Sequence, residues 1–186
     1  MVPAKALKMR FRPAPLSFWA NVVTAGMFAL LVVLIWMGFA NRHGLASLFF
    51  FLALLWAFLV AYCWATATLE YRVDHGKLSI QGHLGRPKTY EILGVDDIAM
   101  KLQPLRRAFA FRVMGTYGPF GFHGHYRAWM THPAETPTGR PKRRLEIFHV
   151  ACTTLQHAIY LRTKTGVVVV TPRDIPQMLQ AIGQGG

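Results

Sequence analysis

Two uncharged apolar runs, Ser17 to Ala40 and Ala46 to Thr68, limit what this chain can fold into more than any other feature. Crossing a hydrocarbon core of about 30 Å takes about 20 apolar residues. Each run has that length, and Asn41-Arg42-His43-Gly44-Leu45 between them is long enough to turn the chain. The pattern predicts a transmembrane helical hairpin. A cleaved signal peptide has a single shorter apolar core, whereas here a second run follows at once. Paired helices of a soluble core carry a polar face, and these runs are apolar all round. Phe18 and Trp19 at the start, with Tyr62 and Trp64 near the end, fit the aromatic belts of membrane interfaces. Ala25 and Ala29, with Gly26 beside them, have a spacing that lets helices approach closely, although small residues are also common in such helices for no special reason. No His, Asp or Glu interrupts either run. That argues against an ion path, a proton relay or a mid-membrane haem ligand.

Charge orients the hairpin. The formal net charge is +13, and Lys5, Lys8, Arg10 and Arg12 precede the first run without an acidic residue. All eight carboxylates lie from Glu70 onward, against sixteen Lys and Arg there, which leaves that part at +8. The loop between the runs carries only Arg42. The positive-inside rule then places both termini in the cytoplasm of a bacterial inner membrane protein. Residues 1–16 are expected to be a basic arm along anionic headgroups, with Lys8, Arg10, Arg12, Trp19 and Trp64 as interface anchors. Cys63 falls inside the second run and Cys152 outside it, so a disulfide is not expected.

After Thr68 the hydrophobic period changes to two. Thr68 to Asp74 alternates, His75-Gly76-Lys77 turns the chain, and Leu78 to Gln81 returns, which is a β-hairpin signature. Further strands are expected around Lys88 to Leu93, Leu145 to Cys152, Ala158 to Thr163 and Val167 to Thr171, the last two joined by a tight turn at Lys164-Thr165-Gly166. Asp174 suits the N-cap of a final helix with Pro176 in its first turn. Ile175, Met178, Leu179 and Ile182 form its apolar face. Trp129 to Arg144, rich in Pro, Thr and Gly, is expected to be an exposed loop inserted at 129–144. Residues 69–186 thus read as one mainly β cytoplasmic domain, an antiparallel barrel or sandwich with a C-terminal helix.

Arg112, Gly115, Gly118, Phe120, Gly121 and Gly124 follow the pattern R-x-x-G-x-x-G-x-F-G-x-x-G. Thr171, Pro172 and Asp174 lead into the last helix as S/T-P-x-D-P would, with Ile175 inserted before Pro176. Over roughly Glu70 to Ile182 the chain resembles the bacterial PH-like (pleckstrin-homology-like) domain family. The resemblance implies a PH-like barrel behind membrane spans. It also implies kinship with accessory or assembly factors of membrane complexes, photosynthetic ones among them.

Candidate chemistry is sparse. His123-Gly124-His125, with His132 nearby, are weak metal candidates because no Cys or carboxylate stands at ligand spacing. The glycine segment is not a P-loop, since it lacks the Gly-Lys-Ser/Thr ending. Asp96 and Asp97 are adjacent, which favours a turn or N-cap over joint acid–base work. His149 and His157 are expected within strands. No Ser-His-Asp arrangement or nucleophile elbow is visible, so neither enzyme activity, nor a cofactor, nor a small-molecule substrate is expected.

The basic surfaces are better defined. Arg106, Arg107 and Arg112 alternate with aromatics, and Arg140, Lys142, Arg143 and Arg144 form the densest cationic cluster. On a tethered protein these residues suit anionic lipid or an acidic partner better than nucleic acid. The expected function is a non-catalytic accessory, structural or assembly subunit of a larger integral-membrane complex, photosynthetic or respiratory. The alternative is an independent tethered module that binds anionic lipid or a signalling or envelope partner.

Overall fold

The Ser17 hydroxyl accepts from the Ala20 amide at 3.2 Å and opens the first long helix, α1, Phe18–Ala40. The second, α2, is Ala46–Thr66. At 1.5 Å per residue they are about 34 and 31 Å long, enough to cross a bilayer. Only 11% and 17% of their most apolar windows are buried, unlike the core helices of a soluble fold. The structure is a computed structural model that describes residues 9–41, 44–102, 105, 110–118, 120–132 and 142–183.

The two helices meet along a narrow seam. On α1, Ala20, Thr24, Met27, Leu31, Leu34 and Gly38 are covered, with Met37 beside them, and on α2 Phe49, Ala53, Trp56, Val60 and Cys63, with Ala46, Ala57 and Ala65 partly so. Steps of three and four residues are what a left-handed helix pair requires. The Trp56 indole N–H donates across the seam to the Met27 carbonyl at 2.9 Å. A Cβ on Gly38 would stand 2.9 Å from the Phe50 ring, so the close approach is at Gly38. Ala25, Gly26 and Ala29 face outward instead.

One residue, Ala67, separates α2 from the sheet. Strands β2 (Thr68–Asp74) and β3 (Lys77–Gly82) form the expected hairpin, with His75 and Gly76 both at positive φ. Strand β4 (Lys88–Val95) follows, then the short helix α3 (Asp97–Leu102). Next come β5 (Ala110–Gly118), β6 (Gly121–His132), β7 (Lys142–Cys152), β8 (Ile159–Thr163) and β9 (Gly166–Val170), and helix α4 (Ile175–Gly183) ends the fold. A further strand, β1 (Met9–Phe11), precedes the helices and pairs antiparallel with β2. The sheet order is β1-β2-β3-β4-β8-β9-β7-β6-β5.

Several expectations need correction. The sheet is mixed, not antiparallel throughout, because β7 and β9 run parallel. The chain leaves β7, passes over to β8, and returns as β9 into the gap beside β7. Residues 9–14 are no free arm: besides the β1 pairing, Ala14 N–H donates to the Thr171 carbonyl at 2.7 Å and Arg173 N–H to the Arg12 carbonyl at 2.9 Å. The glycine-rich segment is a strand pair, β5 with β6, and the expected loop is strand at both ends, Trp129 to His132 and Lys142 to Arg144. Residues 133–141 lie outside the described ones. His157 sits in a turn at φ 56°, while His149 is in β7 as expected.

The sheet curls. The Tyr71 hydroxyl on β2 donates to the Ala151 carbonyl on β7 at 2.6 Å, although the two strands are five positions apart in the order. In a flat sheet they would be about 24 Å apart. The concave face buries Phe11, Tyr71, Leu78, Leu161 and Val168 under Met178 and Ile182 of α4. The other face buries Tyr126, Phe148, Tyr160 and Val167 beside Ala99 of α3. Strands β8 and β9 are therefore buried on both sides, which explains the unbroken Val167 to Val170 run. Asp96 caps α3, its Oδ1 accepting from Ala99 N–H at 2.9 Å, and its Oδ2 pairs with Arg162 at 2.7 Å. Asp174 caps α4 through Gln177 N–H at 3.0 Å.

Candidate functional site

Two features lie where the hairpin meets the sheet. The first is the turn between β5 and β6. Phe120 there has φ 54°, and its N–H donates to the Thr24 hydroxyl of α1 at 3.2 Å. Its ring meets that of Phe28 edge-on at 6.4 Å. Thr24 and Phe28 stand about 9 and 15 Å along the helix from Phe18. The Phe120 carbonyl accepts from His123 Nε2 at 3.0 Å, which leaves Nδ1 to accept from the Thr68 hydroxyl at 3.3 Å. Both backbone polar groups of Phe120 are thus satisfied by side chains. Backbone in a bilayer interior has that need, since no water is there to do it. Gly121 follows at φ 109°, and a Cβ there would stand 2.6 Å from the Cys152 carbonyl. Of the glycine pattern, Gly121 and Gly124 are at positive φ, and Gly115 pairs with Gly124 and Gly118 with Gly121 across the β5–β6 ribbon.

The second feature is a cleft of about 350 Å³ on the concave face, beside the last turn of α2. Tyr62 and Thr66 of α2 form one wall, Arg86 from the β3–β4 turn and Lys88 and Tyr90 from β4 another, and His123, His125 and His149 the floor. Among the described residues no carboxylate lines it. His125 and His149 are register partners on β6 and β7, their rings edge to face at 4.6 Å, and Tyr90 lies 5.4 Å from His149. His149 Nε2 donates to the Thr165 carbonyl at 3.2 Å, while its buried Nδ1 has no partner among the described residues. Burial holds His123 below its ordinary imidazole value, and the Phe120 carbonyl only partly offsets this. Burial also lowers His125, helped by His149 and by Lys88. Such a surface can donate hydrogen bonds and accept negative charge. Beside it, Trp64 stacks on His83 with centroids 4.7 Å apart.

The cationic clusters named from the sequence do not converge on this cleft. Arg143 and Arg144 are exposed and pair in register with Thr131 and Met130, six and five residues along β6 from His125 in the cleft floor. That is about 17–20 Å of strand. Lys142 opens β7, and Arg112 is placed on β5 opposite Tyr126. Lys8, Arg106, Arg107 and Arg140 lie outside the described residues. Arg10 and Arg12 are exposed at β1, and Trp19 is 73% exposed at the head of α1. His123 and His125 do not make a metal centre: both ring nitrogens of His123 are engaged, and no metal-holding group of three or more His, Cys, Asp or Glu occurs among the described residues. Sequence reasoning missed Arg86, Lys88 and His149 as neighbours. The available signal was His83-Leu84-Gly85-Arg86-Pro87-Lys88, a basic turn following the first β-hairpin.

No family profile matches the chain, and neither a curated protein nor a solved structure is significantly similar to it. The PH-like resemblance therefore stands on its motif residues alone.

Proposed function

We propose that this chain is a non-catalytic, multi-pass protein of a bacterial cytoplasmic membrane that serves as an accessory subunit of a larger integral-membrane complex. One observation carries the reading: the sheet is joined to the hairpin by one residue on one side and by a segment bonded to the sheet on the other. Ala67 alone separates α2 from β2, and the segment before α1 is paired into the sheet through β1 and Ala14. The Phe120 turn adds a third attachment on the side of α1. A free-ranging tether gains nothing from such fixation. A subunit that must engage a partner both within the membrane and at its surface needs a set angle between the two parts, and large bare surfaces on both helices remain for contact. Phe51, Leu54, Phe58 and Trp36 are each more than 60% exposed.

Both termini belong on the cytoplasmic side in this reading, supported by the basic excess on the sheet side and the single Arg42 in the far loop. A curled sheet partly covered by a C-terminal helix supports a PH-like plan, and the parallel β7–β9 pair is a departure from the antiparallel form.

The test is native purification from the source membranes in mild detergent, tagged at Gly186, with co-eluting proteins identified by mass. A stoichiometric larger complex is expected, released by substitutions on the outward faces of α1 and α2. Elution of the chain alone, or a complex indifferent to thorough redesign of those faces, contradicts docking through the hairpin.

A further inference from the structure

We propose that the cleft beside the end of α2 binds the phosphate group of an anionic membrane lipid. The inference rests on the membrane placement of the hairpin proposed above and is independent of any partner complex.

Charge is the first argument. Arg72, Arg162 and Lys164 are each neutralised by a carboxylate of the same domain. Among the described residues Arg86 and Lys88 have no such partner, and no carboxylate lines the cleft they border. Two exposed cations and an imidazole pair lining one space form a site that gains from a bound anion.

Hydrogen bonding is the second. The unpartnered His149 Nδ1 is a buried polar atom in the cleft's own lining, and such atoms are normally satisfied. Tyr62 and Thr66 line the opposite wall, the Thr66 hydroxyl donating to the Tyr62 carbonyl of its own helix at 3.1 Å. Burial lowers His125 first, and the neighbouring His149 and Lys88 charges add to it, a repulsion that a bound anion would relieve.

Position selects a lipid over free phosphate. Tyr62 and Thr66 belong to the last turn and a half of a span, which is where headgroups lie. On α2 beyond the cleft, Leu55, Phe58 and Leu59 are 57%, 70% and 41% exposed, an apolar surface suited to acyl chains. Leu84 on the rim is 64% exposed. A small soluble anion uses none of these.

The experiment uses the full chain in detergent, with lipid binding read by native mass spectrometry. The probes are phosphatidic acid, phosphatidylcholine and inorganic phosphate. The variants are R86Q/K88Q at the cleft and R143Q/R144Q far from it, which remove equal charge from exposed positions. Selective binding of phosphatidic acid is expected, weakened about tenfold or more by R86Q/K88Q. Binding by R143Q/R144Q should stay within about twofold of the parent. Equal loss in both variants would mean diffuse electrostatics and overturn the site. Inorganic phosphate bound with the same sensitivity, but no phosphatidic acid, would keep an anion site and overturn its lipid occupant. No binding of either probe would remove the site while leaving the membrane placement standing.

Discussion

His123 is the residue on which the junction between sheet and hairpin turns. Its Nε2–H holds the Phe120 carbonyl and its Nδ1 receives the Thr68 hydroxyl, so the neutral ring ties the β5–β6 turn to the start of β2. Protonation would force Nδ1 to become a donor in a buried place. The folded state therefore keeps His123 below the ordinary value of 6.5. A base with a depressed folded value is charged more readily when unfolded, so stability is lost as pH falls. We expect the stability of the full chain in detergent to decline as pH drops from about 6.5, before carboxylates such as Glu91, held low by Lys164, begin to titrate. Histidine NMR titration checks the assignment. A His123 resonance titrating at or above 6.5 would contradict the neutral tie.

At the scale of elements, β1 is the piece most at odds with the sequence pattern. Three residues followed by Pro13 and Pro15 show no period, yet Phe11 is 4% exposed against Tyr71, Val73 and Met178. Phe11→Ala should destabilise the full chain by about 3–5 kcal/mol in denaturant unfolding. A cost under about 1 kcal/mol would return residues 9–11 to the status of a loose arm. The elements that were legible share a reason. The two spans, the β2–β3 hairpin, β9 and α4 each carry their own period or cap, such as the apolar runs, the Val167 to Val170 stretch and Asp174. What escaped is held by other parts of the chain. Strands β5 and β6 are rich in glycine and take their order from pairing with each other and with β7. Helix α3 is six residues long and stands on the Asp96 cap. The parallel β7–β9 pair reflects where the chain crosses, which no local pattern encodes. The cleft escaped for the same reason, since its walls come from α2, β2, β3, β4, β6 and β7.

For the whole molecule, the central question is how deeply the sheet engages the membrane. With the far loop at one interface, about 30 Å of hydrocarbon covers nearly all of both helices. Thr24 and Phe28 are then below the near surface, and the Phe120 turn held against them is immersed with them. In the proposed membrane placement this geometry would set the cleft at headgroup level. The measurement that tests it most directly is spin-label accessibility at Phe120→Cys in lipid bilayers. Val33→Cys, on the exposed face of α1, serves as the lipid reference, and Thr165→Cys, in the exposed β8–β9 turn, as the aqueous one. Cys63 and Cys152 are both buried and should stay unlabelled. The expected result is a label at 120 open to oxygen and shielded from a water-soluble nickel complex, as at 33. A label at 120 that meets the nickel complex as freely as the one at 165 would contradict the account.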